Sequence, residues 1–177
     1  MSRLIISTGI TVDAVMTVED WYVGEGEHDR AGLELFDRAE ALVLGRKNYE
    51  GLAAFWAPLT GPWADRVNPL PKFVASRTLQ APLTWNATLI EDDLATAVSR
   101  LKEELDGDLL SFGCGELARG LLAHDLVDEL RFWIHPAVWG PGERPFGGGE
   151  KIRLQLLGSE SFDSGVTLLR YQPAPLR

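Results

Sequence analysis

The 177-residue chain has one cysteine, Cys114, so no disulfide can form within it. That usage is compatible with a reducing compartment, and the expected location is the cytoplasm. Long apolar runs are also missing. Met1-Ser2-Arg3 leads straight into Leu4-Ile5-Ile6, too short a stretch for a secretory signal. No run approaches the roughly 20 residues that span a bilayer. Positive charge is scarce: 17 Lys and Arg stand against 26 Asp and Glu, a formal net charge of −9. An acidic chain has no bulk attraction to nucleic acid or anionic lipid, although a local basic pocket can still hold one phosphorylated small molecule. The three histidines, His28, His124 and His135, lack the short spacing of a metal site. Surface or packing roles are expected for them.

What remains is ordinary globular composition, 45% hydrophobic and 24% charged, in a length that fits one domain over residues 1–177. Short apolar runs alternate with helical spacing. Strands are predicted at Leu4–Ser7, Ala41–Leu44, Lys72–Ala75, Thr84–Leu89, Leu109–Phe112 and Leu130–His135. Helices are predicted over Arg30–Ala39, Lys47–Phe55, Asp92–Leu105 and Glu116–His124. Asp92-Asp93 suits the positive end of the third helix dipole. Pro58, Gly61, Pro62, Pro69 and Pro71 mark a loop, and Leu154–Leu157 with Val166–Tyr171 reads as a closing hairpin. This alternation predicts an α/β sandwich with a mostly parallel sheet and an antiparallel end.

The chemistry-bearing signal is Gly113-Cys114-Gly115 between a strand and a helix. Glycines let a backbone approach phosphate oxygens, and free N–H groups at a helix start point at them. With Ala118 the turn fits G-x-G-x-x-G/A, but it lies late in the chain and Asp128-Glu129 precede the next strand. Both features argue against a Rossmann domain. A glycine turn that only closes a strand–helix loop is the plain alternative. Gly45-Arg46-Lys47 and Ser76-Arg77-Thr78 also follow predicted strands, where open α/β sheets collect ligands. Two guanidinium forks beside hydroxyls suit a phosphate ester such as the 2′-phosphate of NADP. Either arginine alone reads equally as a solvated helix start.

Three segments carry a family resemblance: ALVLGRKNYEGLAAFW over 41–56, NPLPKFVASRTL over 68–79, and SFGCGELARGLLAHDLVDELRFWIHPAVWGPGERPF over 111–146. The chain resembles the reductase domain at the C-terminus of the bifunctional riboflavin-biosynthesis protein, the RibD C-terminal domain, in the dihydrofolate-reductase-like superfamily. The resemblance implies a dihydrofolate-reductase-like three-layer sandwich, NADPH as hydride donor, and a small heterocyclic or carbonyl/imine substrate. It places Gly45, Arg46 and Asn48 near the adenosine phosphate with Ser76 and Arg77 beside them, and Gly113, Cys114, Gly115, Glu116 and Leu117 around the pyrophosphate. The chain has no Cys/His zinc motif of a deaminase.

Two positions depart from the family pattern. Ala14 stands where the family's Ser-x-Asp-Gly has glycine, and Asn48 where it often has threonine. Asp13 is the candidate substrate-facing acid, to orient a substrate group or help supply a proton. An Asp bonded to its own loop is the other reading. Cys114 at a helix start is placed where a thiol pKa falls, yet no neighbouring histidine supports a nucleophile. Trp56 and Trp63 flank the proline-rich loop, and Trp56 is expected to line a flat substrate pocket. A homodimer is expected through the apolar strand Leu130–Ile134 and the Trp139 region. A protein of the same fold that binds the nucleotide without turnover, or a plain interaction domain, are the rival readings.

Overall fold

A computed structural model describes residues 2–147 and 151–175. These form one eight-stranded sheet in the order β4-β3-β2-β5-β1-β6-β8-β7. The strands are β1 (Leu4–Thr11), β2 (Ala39–Gly45), β3 (Lys72–Ala75), β4 (Ala87–Leu89), β5 (Asp108–Phe112), β6 (Glu129–His135), β7 (Arg153–Ser161) and β8 (Thr167–Ala174). The first six are mutually parallel where they pair, and β8 joins β6 antiparallel with β7 beyond it. The helices are α1 (Glu27–Glu34), α2 (Arg46–Trp56), α3 (Ala64–Val67), α4 (Leu94–Glu104) and α5 (Glu116–Ala123). The chain folds as the dihydrofolate-reductase-like sandwich, with a parallel centre and an antiparallel C-terminal edge.

The central strands are apolar on consecutive residues because both of their faces are covered. Ile6, Val43 and Leu109 enter one core with Val98 and Leu101 of α4 and Leu121 of α5. Ile5, Leu42 and Leu110 enter the other with Phe36, Tyr49 of α2 and Val67 of α3. Helices α4 and α5 therefore cover one face, and α2 and α3 the opposite one. Each buried leucine or isoleucine here contributes about 2 kcal/mol of burial.

Several element bounds differ from the sequence expectation for local reasons. The helix expected over Arg30–Ala39 begins at Glu27, with Glu27 and Asp29 in its first turn. It then tightens into a 3-10 turn over Leu35–Asp37 that buries Leu35 and Phe36. The strand expected over Thr84–Leu89 shrinks to Ala87–Leu89, because Trp85 and Asn86 turn left-handed at φ +60° and +51°. That turn lays the Trp85 ring over the buried Lys72 ammonium at 4.1 Å. Strand β1 runs on to Thr11 because β6 pairs with it that far.

Strand β6 overturns the expected use of Leu130–Ile134 as an interface. It lies between β1 and β8, and Leu130, Phe132 and Trp133 are buried in the chain's own core. No helix of the described residues is long and apolar enough to cross a membrane.

Candidate cofactor and substrate site

Because β1, β2, β3, β5 and β6 run parallel, their C-terminal ends share one edge of the sheet. After β2 the chain leaves through α2 on one face, and after β5 it leaves through α5 on the other. Adjacent strands whose connections part in this way open a crevice at their carboxyl ends. Asn48 spans it, its amide Nδ2 donating to the Phe112 carbonyl. Gly113 sits at φ +77°, and a Cβ there would come 3.2 Å from Asn48 Nδ2. Glycine is thus favoured on two counts, backbone conformation and space. A Cβ on Gly115 would meet nothing within 4 Å, so the turn is open above that residue.

The helix starts differ in a telling way. Asp93 caps α4, its Oδ1 accepting from the Thr96 N–H at 3.1 Å. Helices α2 and α5 instead begin on Gly45 and Gly115 with no side-chain cap. Helix α1 also starts on a glycine, Gly26, without a side-chain cap, so what sets α2 and α5 apart is that both begin at the carboxyl ends of the paired parallel strands β2 and β5 with first-turn N–H groups free of side-chain partners. Leu117 stands 3.7 Å from where a Gly45 Cβ would be, so the two starts lie side by side.

The arginines border this crevice. Arg77 reaches across from the β3 end to Glu116 of α5 at 3.3 Å, both exposed. Arg46 lies 3.4 Å from Glu50 on its own helix. Exposed pairs of this kind contribute about 0–1 kcal/mol and release readily to a phosphate. Ser76 accepts from the N–H groups of Thr78 and Leu79 at 3.1 and 3.0 Å, shaping the turn that carries Arg77.

Asp13 lies at the end of β1 on the same edge. Its Oδ1 accepts from Thr11 Oγ1 at 2.6 Å and the Trp139 N–H at 3.0 Å, and its Oδ2 from the Gly140 N–H at 2.7 Å. The Thr11 hydroxyl first, then these two amides, hold its carboxyl far below the ordinary range. An Asp kept ionised in this way ties the loop after β1 to the loop after β6. It is not poised to give up a proton near neutrality. Ala14 keeps the glycine-like backbone, at φ +64°. A left-handed alanine is strained, so Ala14→Gly is expected to stabilise the fold by about 1 kcal/mol in urea unfolding.

Cys114 departs from expectation. Its sulfur turns inward, 1% exposed, against Thr8 Oγ1 at 3.1 Å. Burial pushes the thiol pKa up to about 11 rather than down. Only the backbone of Cys114 borders the site, its carbonyl accepting from the Phe146 N–H at 3.0 Å. Native Cys114 is expected to resist iodoacetamide at neutral pH and to react fully in denaturant, as mass spectrometry reads.

Trp56 ends α2, about 15 Å along the helix from the Arg46 end by the helical rise. It stacks on Trp63 at 6.2 Å, which meets Phe36 at 5.5 Å, and Phe36 stacks on Phe112 at 6.0 Å. The row begins at the crevice with Phe112, and Trp56 is its remote end. Trp56 thus lies apart from the glycine turn, in an aromatic row that leads from it to Phe112.

Sequence reasoning missed a cluster on the same edge. His135, the last residue of β6, is 1% exposed, and its Nδ1 accepts from the Val23 N–H at 3.1 Å. Tyr22 lies 4.6 Å from that ring, centroid to centroid, and His28 6.1 Å. Burial first, then His28, holds the His135 pKa down at about 4. Gly9 in β1 makes room, since a Cβ there would stand 3.5 Å from Tyr22 and 3.6 Å from His135. The only sequence signal was an apolar strand ending in histidine, which has many other causes. Among the described residues no group of three or more His, Cys, Asp or Glu could hold a metal ion.

The RibD C-terminal domain family model matches residues 2–168. The chain belongs to that family. Among its relatives, the uncharacterized protein YyaP of Bacillus subtilis is 26% identical, the match covering 96% of this chain and 94% of that one. A second uncharacterized Bacillus subtilis protein, YwjB, is 23% identical over 94% and 95%. A solved putative riboflavin biosynthesis protein from Shewanella sp. PV-4 superposes with a TM-score of 0.78 at 20% identity, covering 99% of this chain and 100% of that one. Acinetobacter baumannii RibD superposes at 0.72 and 16% identity, covering 98% of this chain and 58% of RibD. At these identities the superpositions establish the fold.

Proposed function

We propose that this RibD C-terminal-like chain is an NADPH-dependent reductase, transferring hydride to a small heterocyclic or carbonyl/imine substrate. The observation that carries the reading is the pair of glycine starts of α2 and α5, free of side-chain caps and side by side at the β2–β5 crevice, with Arg46 and Arg77 beside them. A dinucleotide needs such an arrangement: amides for the pyrophosphate and guanidinium groups for an extra phosphate. Gly113, Cys114, Gly115, Glu116 and Leu117 would hold the pyrophosphate through their backbone. Gly45, Arg46, Asn48, Ser76 and Arg77 would surround the adenosine phosphate.

When bound, NADPH supplies the hydride, and the protein supplies alignment. Asn48 keeps α2 fastened to β5, so the two anion-binding helix starts hold their spacing. Asp13 keeps the loops after β1 and β6 together, and its charge favours a donor group on the substrate. Titrating NADPH against the pure protein by calorimetry tests the reading. Saturable one-to-one binding is expected, and no heat up to high micromolar cofactor contradicts it.

A homodimer is part of the proposal, but β6 is not its surface. The edge strand β7 exposes Leu156 and Leu157, and sizing chromatography reads the outcome.

A further inference from the structure

Away from the crevice, the N-terminal end of the parallel strands gathers charge that the cofactor site does not use. Asp108 at the start of β5 and Glu129 at the start of β6 are both buried, and four guanidinium groups surround them. Arg3 lies 2.6 Å from Asp108 and 3.4 Å from Glu129, and Arg38 lies 3.7 Å from Asp108. Arg131 and Arg170 both donate through Nε to one oxygen of Glu129, Oε1, at 2.7 and 2.9 Å. Four cations thus share two buried carboxylates, in a chain whose net charge is −9.

Arg131 and Arg170 are direct cross-strand partners on β6 and β8. Residues so paired share one face of the sheet, and like charges there repel. Their common acceptor engages only the two Nε–H groups. The Nη groups of both side chains have no acceptor among the described residues, although the Arg131 side chain is only 14% exposed. Polar groups so far removed from water are ordinarily hydrogen-bonded. The sheet also leaves room beside the pair. Gly158 of β7 is the partner of Arg170, and a Cβ there would meet nothing within 4 Å. One pair further up, Trp133 and Leu168 pack with Phe162, and Ala31 of α1 lies against them. One pair further down, the Gln172 amide donates to Gln155 at 2.9 Å. The carboxylates higher on this face, Glu34 and Glu160, line a cleft between α1 and β7 and make no ion pair with either arginine.

A guanidinium fork matches the oxygens of a phosphate, and two forks side by side can share one. A dianion placed there supplies acceptors for the Nη groups, balances the surplus of positive charge and relieves the repulsion between the two arginines. We propose that Arg131 and Arg170 form a second anion site, open on the Gly158 side, for a small tetrahedral dianion such as phosphate, sulfate or the phosphate of a monoester. Strand β1 separates β6 from β5, so this site is distinct from the β2–β5 crevice. It stands whether or not that crevice holds NADPH.

Calorimetric titration of inorganic phosphate tests it, at an ionic strength held constant with sodium chloride. The parent protein carries Arg46→Ala and Arg77→Ala, so that the crevice arginines contribute nothing. Saturable binding of one phosphate per chain is expected, with a Kd of about 1 mM or tighter, and sulfate should compete. Arg170→Gln, on the more exposed of the two side chains, should weaken that binding about tenfold or more. Gly158→Glu places a tethered carboxylate beside Arg170. It should abolish phosphate binding and raise the unfolding temperature measured without phosphate. Circular dichroism of the same samples shows that each variant is folded. Absence of saturable binding to the parent, an affinity that Arg170→Gln leaves within about twofold, or a Gly158→Glu protein that binds phosphate like its parent would overturn the proposal.

Discussion

Replacing Arg46 and Arg77 together with alanine weakens NADPH binding about 100-fold and leaves NADH binding within about twofold. Each guanidinium gives a charge-assisted interaction of about 1.5–3 kcal/mol to a phosphate, less the roughly 0–1 kcal/mol of the exposed ion pair it leaves. That difference is about tenfold per arginine. Arg46 gives up Glu50, and Arg77 gives up Glu116. NADH lacks the 2′-phosphate and keeps the pyrophosphate, so its affinity isolates the glycine turn. Calorimetric titration of both cofactors against both proteins decides the point. Equal losses for NADPH and NADH would move the arginines to the pyrophosphate, and no loss for either would remove them from the site.

His135 makes the fold acid-sensitive. Its imidazole is buried and neutral, accepts from the Val23 N–H, and is held at a pKa of about 4. The unfolded chain binds that proton near pH 6.5. Below that value the unfolded state gains a proton the folded state refuses, so stability present above about pH 6.5 drains away toward pH 4. The full effect is about 3 kcal/mol. The substitution His135→Asn keeps a short acceptor near Val23 and removes the titration. Urea unfolding at about pH 7.5 and about pH 4.5 should show the wild type losing about 2–3 kcal/mol more than the variant between the two. Equal losses in both proteins would show that His135 is not the group responsible.

The parallel centre of the fold was legible because strands covered on both faces must be apolar on consecutive residues, as Leu4-Ile5-Ile6 and Ala41–Leu44 are. The glycine turn was legible for a related reason. Gly113 adopts a left-handed backbone close beside Asn48, a combination that favours glycine.

What escaped the sequence was side-chain direction. Cys114 lies in the expected turn, yet its sulfur faces the core and Thr8, so position at a helix start said nothing true about its acidity. Trp56 is in the expected helix, at the end away from the glycine turn, and its stacking on Trp63 was not legible from the sequence. Leu130–Ile134 is apolar because its two faces pack into the chain's own cores, Leu130 and Phe132 into one and Trp133 into the other, and nothing local distinguishes that from a partner's coverage. The meeting of His135, Tyr22 and Gly9 joins three segments distant in sequence, a juxtaposition only the folded sheet creates.

The central claim is that two uncapped helix starts at the β2–β5 crevice hold the two ends of one dinucleotide. A crystal structure of the protein soaked with NADPH tests it most directly. The account predicts the pyrophosphate against the backbone amides of Gly113–Leu117 and the adenosine phosphate between Arg46 and Arg77. Cofactor density elsewhere on the sheet, or phosphates turned away from both helix starts, would contradict it.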